Sequence, residues 1–161
     1  MTDRKVELLV PAGSLEVLKV AVDYGADAVY IGGQAYGLRA KADNFSIDEM
    51  KEAAAYAHAK NAKVYVTANI FAHNYDIDGM KTYFEQLKDT GVDAVLVSDP
   101  GIFTLAKETM PDMELHISTQ ANNTNYLTYN FWYKLGAKRV VTARELSLAE
   151  IRQIRDHIPD D

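Results

Sequence analysis

Short apolar runs recur along this chain, each preceded by a turn-forming residue and followed by polar ones. Gly25–Gly33 (GADAVYIGG) shows the unit most fully: a helix-stopping glycine, the apolar run Ala28-Val29-Tyr30-Ile31, then a Gly32-Gly33 pair where the backbone can turn. The unit returns as Gly91–Gly101 (GVDAVLVSDPG) and Gly136–Glu145 (GAKRVVTARE). A looser copy is Asn61–Ile70 (NAKVYVTANI), with Asn61 in the place of the glycine. Runs this short and this apolar suit strands covered on both faces. Between them the apolar residues fall at helical spacing, as Leu15, Leu18, Ala21 and Val22 do.

The pattern predicts strands over residues 6–11, 28–31, 63–69, 94–98, 114–118 and 139–143. It predicts helices over 15–24, 47–60, 77–90, 102–108, 126–135 and 148–157. Ser14, Ser46 and Ser147 are expected N-caps, and Ser46-x-x-Glu49 and Ser147-x-x-Glu150 fit capping boxes. Strict alternation of strand and helix implies an α/β fold with a parallel sheet and right-handed crossovers. Two closures compete, a doubly wound open sheet and part of a TIM-type (β/α)8 barrel. No glycine-rich dinucleotide fingerprint follows the first strand, and every strand ends in a polar cluster, which suits a ring of loops on one barrel face. The expected fold is therefore a parallel (β/α) repeat, six βα units of an incomplete barrel. Six units are two short of a closed barrel, so residues 1–161 are read as the N-terminal part of a barrel domain, with the remainder of a longer protein absent.

Composition narrows the function classes. The 161 residues are 48% hydrophobic and 25% charged, as in an ordinary globular domain. No run approaches the roughly 18 apolar residues of a membrane span, and the N-terminus has no signal-peptide core, so a cytoplasmic protein is expected. Cysteine is absent, which excludes disulfides and thiolate metal sites within this chain. A net charge of −6 argues against a dominant nucleic-acid surface.

Polar residues gather toward the strand ends. On one parity lie Tyr65, Thr67 and Asn69 in the third strand, and His116, Ser118 and Gln120 in the fifth. In the sixth the corresponding set is Val140, Thr142 and Arg144. If that parity points inward, Asn69, Gln120 and Arg144 converge at one end of the barrel, joined by Asp99, as in a small-molecule site. Each residue has a plainer reading too. His116 fits a hydrogen-bonded core histidine as well as a site residue, and Ser118 beside it lacks a third group to complete a triad. Arg39 and Lys41 suit an anion site or ordinary solvated charge. Arg144-Glu145 could be an internal ion pair, and Asn122-Asn123 a simple cap and turn. The Tyr126, Tyr129, Trp132, Tyr133 spacing is that of core packing. No histidine or carboxylate cluster has metal-ligand spacing.

Several motifs in order, ELLVPAGSLEVLKVAVDYGADAVYIGG, LRAKADNF, VYVTANIFAHN, VLVSDPG, HISTQANNTN and RVVTARELSLAEI, carry a resemblance from Glu7 to about Ile154. They resemble the N-terminal region of the collagenase-like peptidases of unassigned catalytic type. That family also holds the prephenate-dependent RNA hydroxylases and the oxygen-independent ubiquinone-pathway hydroxylation proteins. The resemblance implies that residues 1–161 are the N-terminal part of a barrel-type catalytic domain, and it carries over Arg39, Asn44, Phe45, Asn69, Asp99, His116, Ser118, Thr119, Gln120, Asn122, Arg144 and Glu145 as motif positions. From these, His116, Arg144, Glu145 and Asp99 are the candidate catalytic set, and Arg39, Asn44, Asn69, Ser118, Gln120 and Asn122 the candidate substrate-binding set. The implied function is prephenate-dependent hydroxylation of tRNA uridine. The alternatives are a collagenase-like peptidase and a non-catalytic fragment that self-associates through open sheet edges as a homo-oligomer. The implied partners are a small carboxylated metabolite such as prephenate, and tRNA held through regions outside this chain. An iron–sulfur cluster is expected only in the parent protein, on cysteines lying beyond this region.

Overall fold

The computed structural model describes residues 6–38 and 44–159. In chain order the regular elements are β1 (Leu9–Pro11), α1 (Leu15–Asp23), β2 (Ala28–Gly32), α2 (Ile47–His58), β3 (Lys63–Thr67) and α3 (Ile77–Leu87). They continue with β4 (Ala94–Val97), α4 (Pro100–Thr109), β5 (Glu114–Ile117), α5 (Tyr126–Leu135), β6 (Arg139–Val140) and α6 (Leu148–Arg155). Short 3-10 turns at Asn74–Asp76 and Thr119–Ala121 interrupt two of the loops.

Every strand pairing is parallel, and the order across the sheet is β1-β2-β3-β4-β5-β6. This order decides between the two closures. A doubly wound sheet reverses direction at a switch point, whereas here each new strand adds to the same edge and the sheet curls into a barrel arc. The outer face carries the main core. Val29, Ile31, Val64, Val66, Val95, Val97, Leu115 and Ile117 of the strands pack against Leu18, Met50, Phe84, Phe103 and Trp132 from α1 through α5. Each such side chain contributes roughly 1.5–3 kcal/mol of burial, so this layer dominates the fold's stability.

Local chemistry places the loops. Gly25, Gly91 and Gly136 adopt φ of 97°, 80° and 92°, and Asn61 follows them at 59°, so the looser fourth copy of the repeat uses the same left-handed stop. Both capping boxes form: Ser46 pairs reciprocally with Glu49, and Ser147 with Glu150. Gly33 is a packing requirement, since a Cβ there would lie 2.1 Å from the Tyr83 hydroxyl. Gly33 bridges to Phe45, and the Phe45 N–H donates to the Gly32 carbonyl at 2.9 Å. That clasp brings Asn44 back over the end of β2.

Several element ends fall short of the expected bounds, as β1 starting at Leu9 and α3 ending at Leu87 do, and two departures bear on the site. The fourth helix begins at Pro100, two residues before the predicted Ile102, because proline is well suited to a first helical position and Asp99 caps it. The sixth strand is only Arg139–Val140, and its parity is opposite to that expected. Arg139 registers with His116 and Val140 with Ile117, so Val140 faces the helices and Val141 the interior.

Candidate functional site

Alternation along the strands gives the inner face its own small core: Ala28, Tyr65, Ala94 and Leu96, packed with Leu9, Tyr30 and Val141. Polar side chains lie on either side of this girdle, one set toward the N-terminal ends of the strands and one at their C-terminal ends.

At the C-terminal ends a cavity of about 400 Å³ opens. Its floor and one wall are apolar, from Leu9, Pro11, Tyr30, Leu38, Leu96 and Val141. The polar wall is built by Asn44, Thr67, Asn69, Ser118, Thr119, Gln120 and Arg144. Asn69 is fixed at both ends of its amide: Nδ2 donates to Ser118 Oγ at 3.1 Å, and Oδ1 accepts from the Leu38 N–H at 3.4 Å. The Ser98 hydroxyl donates to the Asn69 carbonyl at 3.4 Å. Ser118 is buried, while Gln120 and Arg144 are exposed at the rim. Among the described residues Arg144 is the one cation on the lining, and no carboxylate shares it. An apolar floor with a cationic, amide-rich rim suits a small anionic molecule carrying a hydrocarbon body.

The second polar set is closed upon itself. Arg139 donates two bonds to Glu7, Nη1 to Oε1 at 2.6 Å and Nη2 to Oε2 at 3.2 Å. The Tyr65 hydroxyl donates to Glu7 Oε2 at 2.9 Å, and the Arg139 guanidinium lies 5.4 Å from the Tyr65 ring centre. The pair joins a residue just before β1 to the start of β6, across the inside of the arc. The hydrogen bonds from Arg139 hold the Glu7 carboxyl below its ordinary value. Burial, then the bond to Glu7, raises the Tyr65 phenol to about 12. His116 stands edge-on to Tyr65 with ring centres 4.8 Å apart, and its Nε2 is 3.6 Å from Glu114 Oε2, beyond hydrogen-bond length. Burial first and the charge of Arg139 second push the His116 imidazole down to about 4. It is therefore neutral at physiological pH.

The cavity gathers five of the sequence-predicted residues: Asn44, Asn69, Ser118, Gln120 and Arg144. Arg39 lies outside the described residues. The others are elsewhere. Asp99 falls on the parity of Val95 and Val97, the helix side of β4, and its Oδ1 accepts the Ile102 N–H at 2.9 Å as the α4 cap. His116 packs against the lower set without joining its hydrogen bonds: its buried Nε2 has no hydrogen-bond partner among the described residues, unlike the hydrogen-bonded core histidine expected from the sequence. Glu145 is exposed and off the lining, and Asn122 is an exposed left-handed residue ending the Thr119–Ala121 turn. Arg144 reaches the cavity from a turn after β6, not by strand parity.

The adjacent Asn123 is the amide that matters structurally. It is fully buried, and its Nδ2 donates to the carbonyls of Ser118 and Val141, each at 3.0 Å. It ties the two loops of the polar wall together, a role beyond the simple cap and turn that the sequence suggests for Asn122-Asn123. Among the described residues no histidine is hydrogen-bonded to Ser118, whose hydroxyl instead accepts from Asn69.

A family model for Peptidase family U32 matches residues 13–160. The tRNA hydroxylation protein P1 of Bacillus subtilis is 49% identical over 155 residues, which are 96% of this chain and 37% of that protein. The tRNA hydroxylation protein P of Escherichia coli is 43% identical over 159 residues, 97% of this chain and 34% of that protein. The chain thus spans 37% and 34% of the length of these curated relatives. The solved structure of the U32 peptidase Mk0906 matches 99% of this chain and 68% of that chain with a TM-score of 0.78 at 16% identity. That likeness shows a shared barrel-type fold.

Proposed function

The chain belongs to peptidase family U32, and from that membership we propose that it supplies the ligand-binding face of an enzyme that hydroxylates uridine in tRNA. The carrying observation is the cavity at the strand ends, where Arg144 is the single cation on a lining without carboxylates among the described residues. In this reading Arg144 holds the carboxylate of a small metabolite, prephenate, through charge-assisted hydrogen bonds. Gln120 and Thr119 orient its polar groups, and the prealigned Asn69–Ser118 pair presents a fixed edge. Leu9, Tyr30, Leu96 and Val141 cover its hydrocarbon part. The net charge of −6 favours placing most tRNA phosphate contacts outside this chain.

An iron–sulfur cluster does not fit the residues present. The chain has no cysteine, and among the described residues no group of three metal-ligating side chains comes together. Among the described residues no helix is long and apolar enough to cross a membrane.

The test is nucleoside profiling by mass spectrometry in cells with the gene deleted, then restored as wild type or as Arg144→Ala. The expected result is loss of a hydroxylated uridine on deletion, rescued by the wild type and not by Arg144→Ala. An unchanged nucleoside profile on deletion would overturn the reading. Calorimetry with prephenate separates the residue from the reaction, since equal affinity in folded wild type and Arg144→Ala would remove Arg144 from the site.

A further inference from the structure

The loop from β3 to α3, residues 68–76, leaves the sheet at the cavity face, and Asn69 on its first turn lines the cavity. Its backbone is anchored. Ile70 and Ala72 pack against the outer core, the Ile70 N–H donates to the Tyr36 carbonyl at 3.3 Å, and the His73 N–H donates to Asp76 Oδ2 at 2.8 Å. Three rings nonetheless point away from that anchor. Phe71 is 64% exposed and Tyr75 82% exposed, and the exposed His73 ring lies parallel to Tyr75, 5.3 Å between centres and 5° between planes. Large aromatic groups left in water on a fixed loop forfeit burial that a core position would give them, which marks an interaction surface.

The chemistry of the patch selects its partner. The parallel His73–Tyr75 pair offers a π face, on which another flat ring can stack. No lysine or arginine occurs between Lys63 and Lys81, so the loop has no clamp for phosphates. An unpaired nucleobase meets both conditions, because stacking is indifferent to backbone charge. The loop backbone that carries the rings is anchored beforehand, so little backbone ordering entropy is lost on binding.

We infer that Phe71, His73 and Tyr75 form a stacking platform for an unpaired RNA base beside the cavity, through which an acidic domain recognises its RNA by base faces. This rests on the RNA-modifying reading above and adds to it the element of this chain that touches the RNA.

The experiment uses the full-length protein and a fluorescein-labelled RNA hairpin whose loop carries an unpaired uridine, compared with the same stem closed as a blunt duplex. Fluorescence anisotropy on Phe71→Ala and Tyr75→Ala, with folding checked by circular dichroism, is expected to show about tenfold weaker hairpin binding for each. Tyr75→Phe retains the ring and is expected to bind as the wild type does. The slope of affinity against salt should be the same for wild type and both alanine variants, since no phosphate contact is removed. Unchanged hairpin affinity in both folded alanine variants would overturn the platform while leaving RNA modification standing. Loss in Tyr75→Phe equal to that in Tyr75→Ala would overturn stacking in favour of a hydroxyl contact. Wild-type protein that binds neither RNA would overturn the platform together with the reading beneath it.

Discussion

Two polar sets share the inner side of this curled sheet, and they differ in what their groups bond to. In the lower set Glu7, Tyr65 and Arg139 bond to one another, and His116 is buried against them in its neutral form. In the upper set Asn69 and Ser118 are paired and Thr67 donates to the Ile31 carbonyl, while Arg144 and Gln120 stand exposed on the cavity rim. Both contain an arginine, an aromatic or amide partner and a strand-end position, so residue type does not separate them. Partner satisfaction does. A bidentate arginine–carboxylate pair has little capacity left for a ligand, whereas a cation with no fixed anion beside it has all of its donors to offer. The lower set is a strut between β1 and β6; the upper set is where a ligand gains most by binding.

The largest expected effect breaks the strut through pH. His116 has a folded pKa of about 4 against an unfolded value near 6.5, so acid favours the unfolded, protonated chain. Its contribution is complete above pH 6.5 and is lost as pH falls toward 4. Urea unfolding should show a loss of about 2 kcal/mol between pH 7 and pH 5, approaching about 3 kcal/mol near pH 4. Glu7, whose carboxyl is held down by Arg139, gives the same sign in a lower window, below its ordinary value of 4.5. His116→Asn should therefore remove the loss between pH 7 and pH 5 and leave the lower one. A variant as pH-sensitive as the wild type in the upper window would mean His116 is not buried neutral.

Next in size is the exchange between the two arginines. On the proposed function, Arg144→Ala should weaken prephenate binding by roughly 2 kcal/mol, about thirtyfold, without moving the denaturation midpoint. Arg139→Ala should do the reverse, losing about 1 kcal/mol of stability with affinity unchanged. The smaller figure reflects solvent screening, as the Arg139 and Glu7 side chains are 38% and 28% exposed. Calorimetry and urea unfolding on both variants suffice; an Arg139→Ala protein that is stable but no longer binds would merge the two sets into one site.

The outer core and the helix ends were legible because their signals are local: apolar runs, left-handed stops at Gly25 and Asn61, and reciprocal Ser46–Glu49 caps. Much of the polar wall was legible too, since Asn69 and Ser118 sit where unbroken strand parity puts them. Parity failed at β6, where two residues of strand are followed by a backbone that leaves the sheet, so Arg144 arrives by a turn. It also failed for Asp99, because Asp-Pro-Gly after a strand reads equally as a site loop or a helix cap, and only the packing of α4 decides. The Glu7–Arg139 strut joins positions 132 apart in sequence, and no local pattern encodes such a pair. Phe71 and His73 lie on irregular backbone and Tyr75 in the short 3-10 turn that follows, where neither the strand nor the α-helix period applies.

The smallest expected effect is the most discriminating between the chemistries the family contains. Ser118 Oγ serves Asn69 as an acceptor at 3.1 Å and has no histidine bonded to it among the described residues. Removing it by Ser118→Ala should free the Asn69 amide to turn in the cavity, weakening metabolite binding by a few-fold, about 1 kcal/mol or less, with a similar loss in stability. A serine acting as a nucleophile would behave otherwise, because deleting such a group lowers turnover by several orders of magnitude while leaving binding largely intact. Tyr83→Phe supplies the reference for a harmless hydroxyl deletion, since that buried hydroxyl has no hydrogen-bond partner among the described residues and its removal should be neutral or slightly stabilising. Restoring deleted cells with Ser118→Ala and measuring hydroxylated uridine then gives a direct answer. A modest reduction keeps Ser118 as a positioning residue in the upper set, and a complete loss with prephenate affinity preserved would make it part of the chemistry itself.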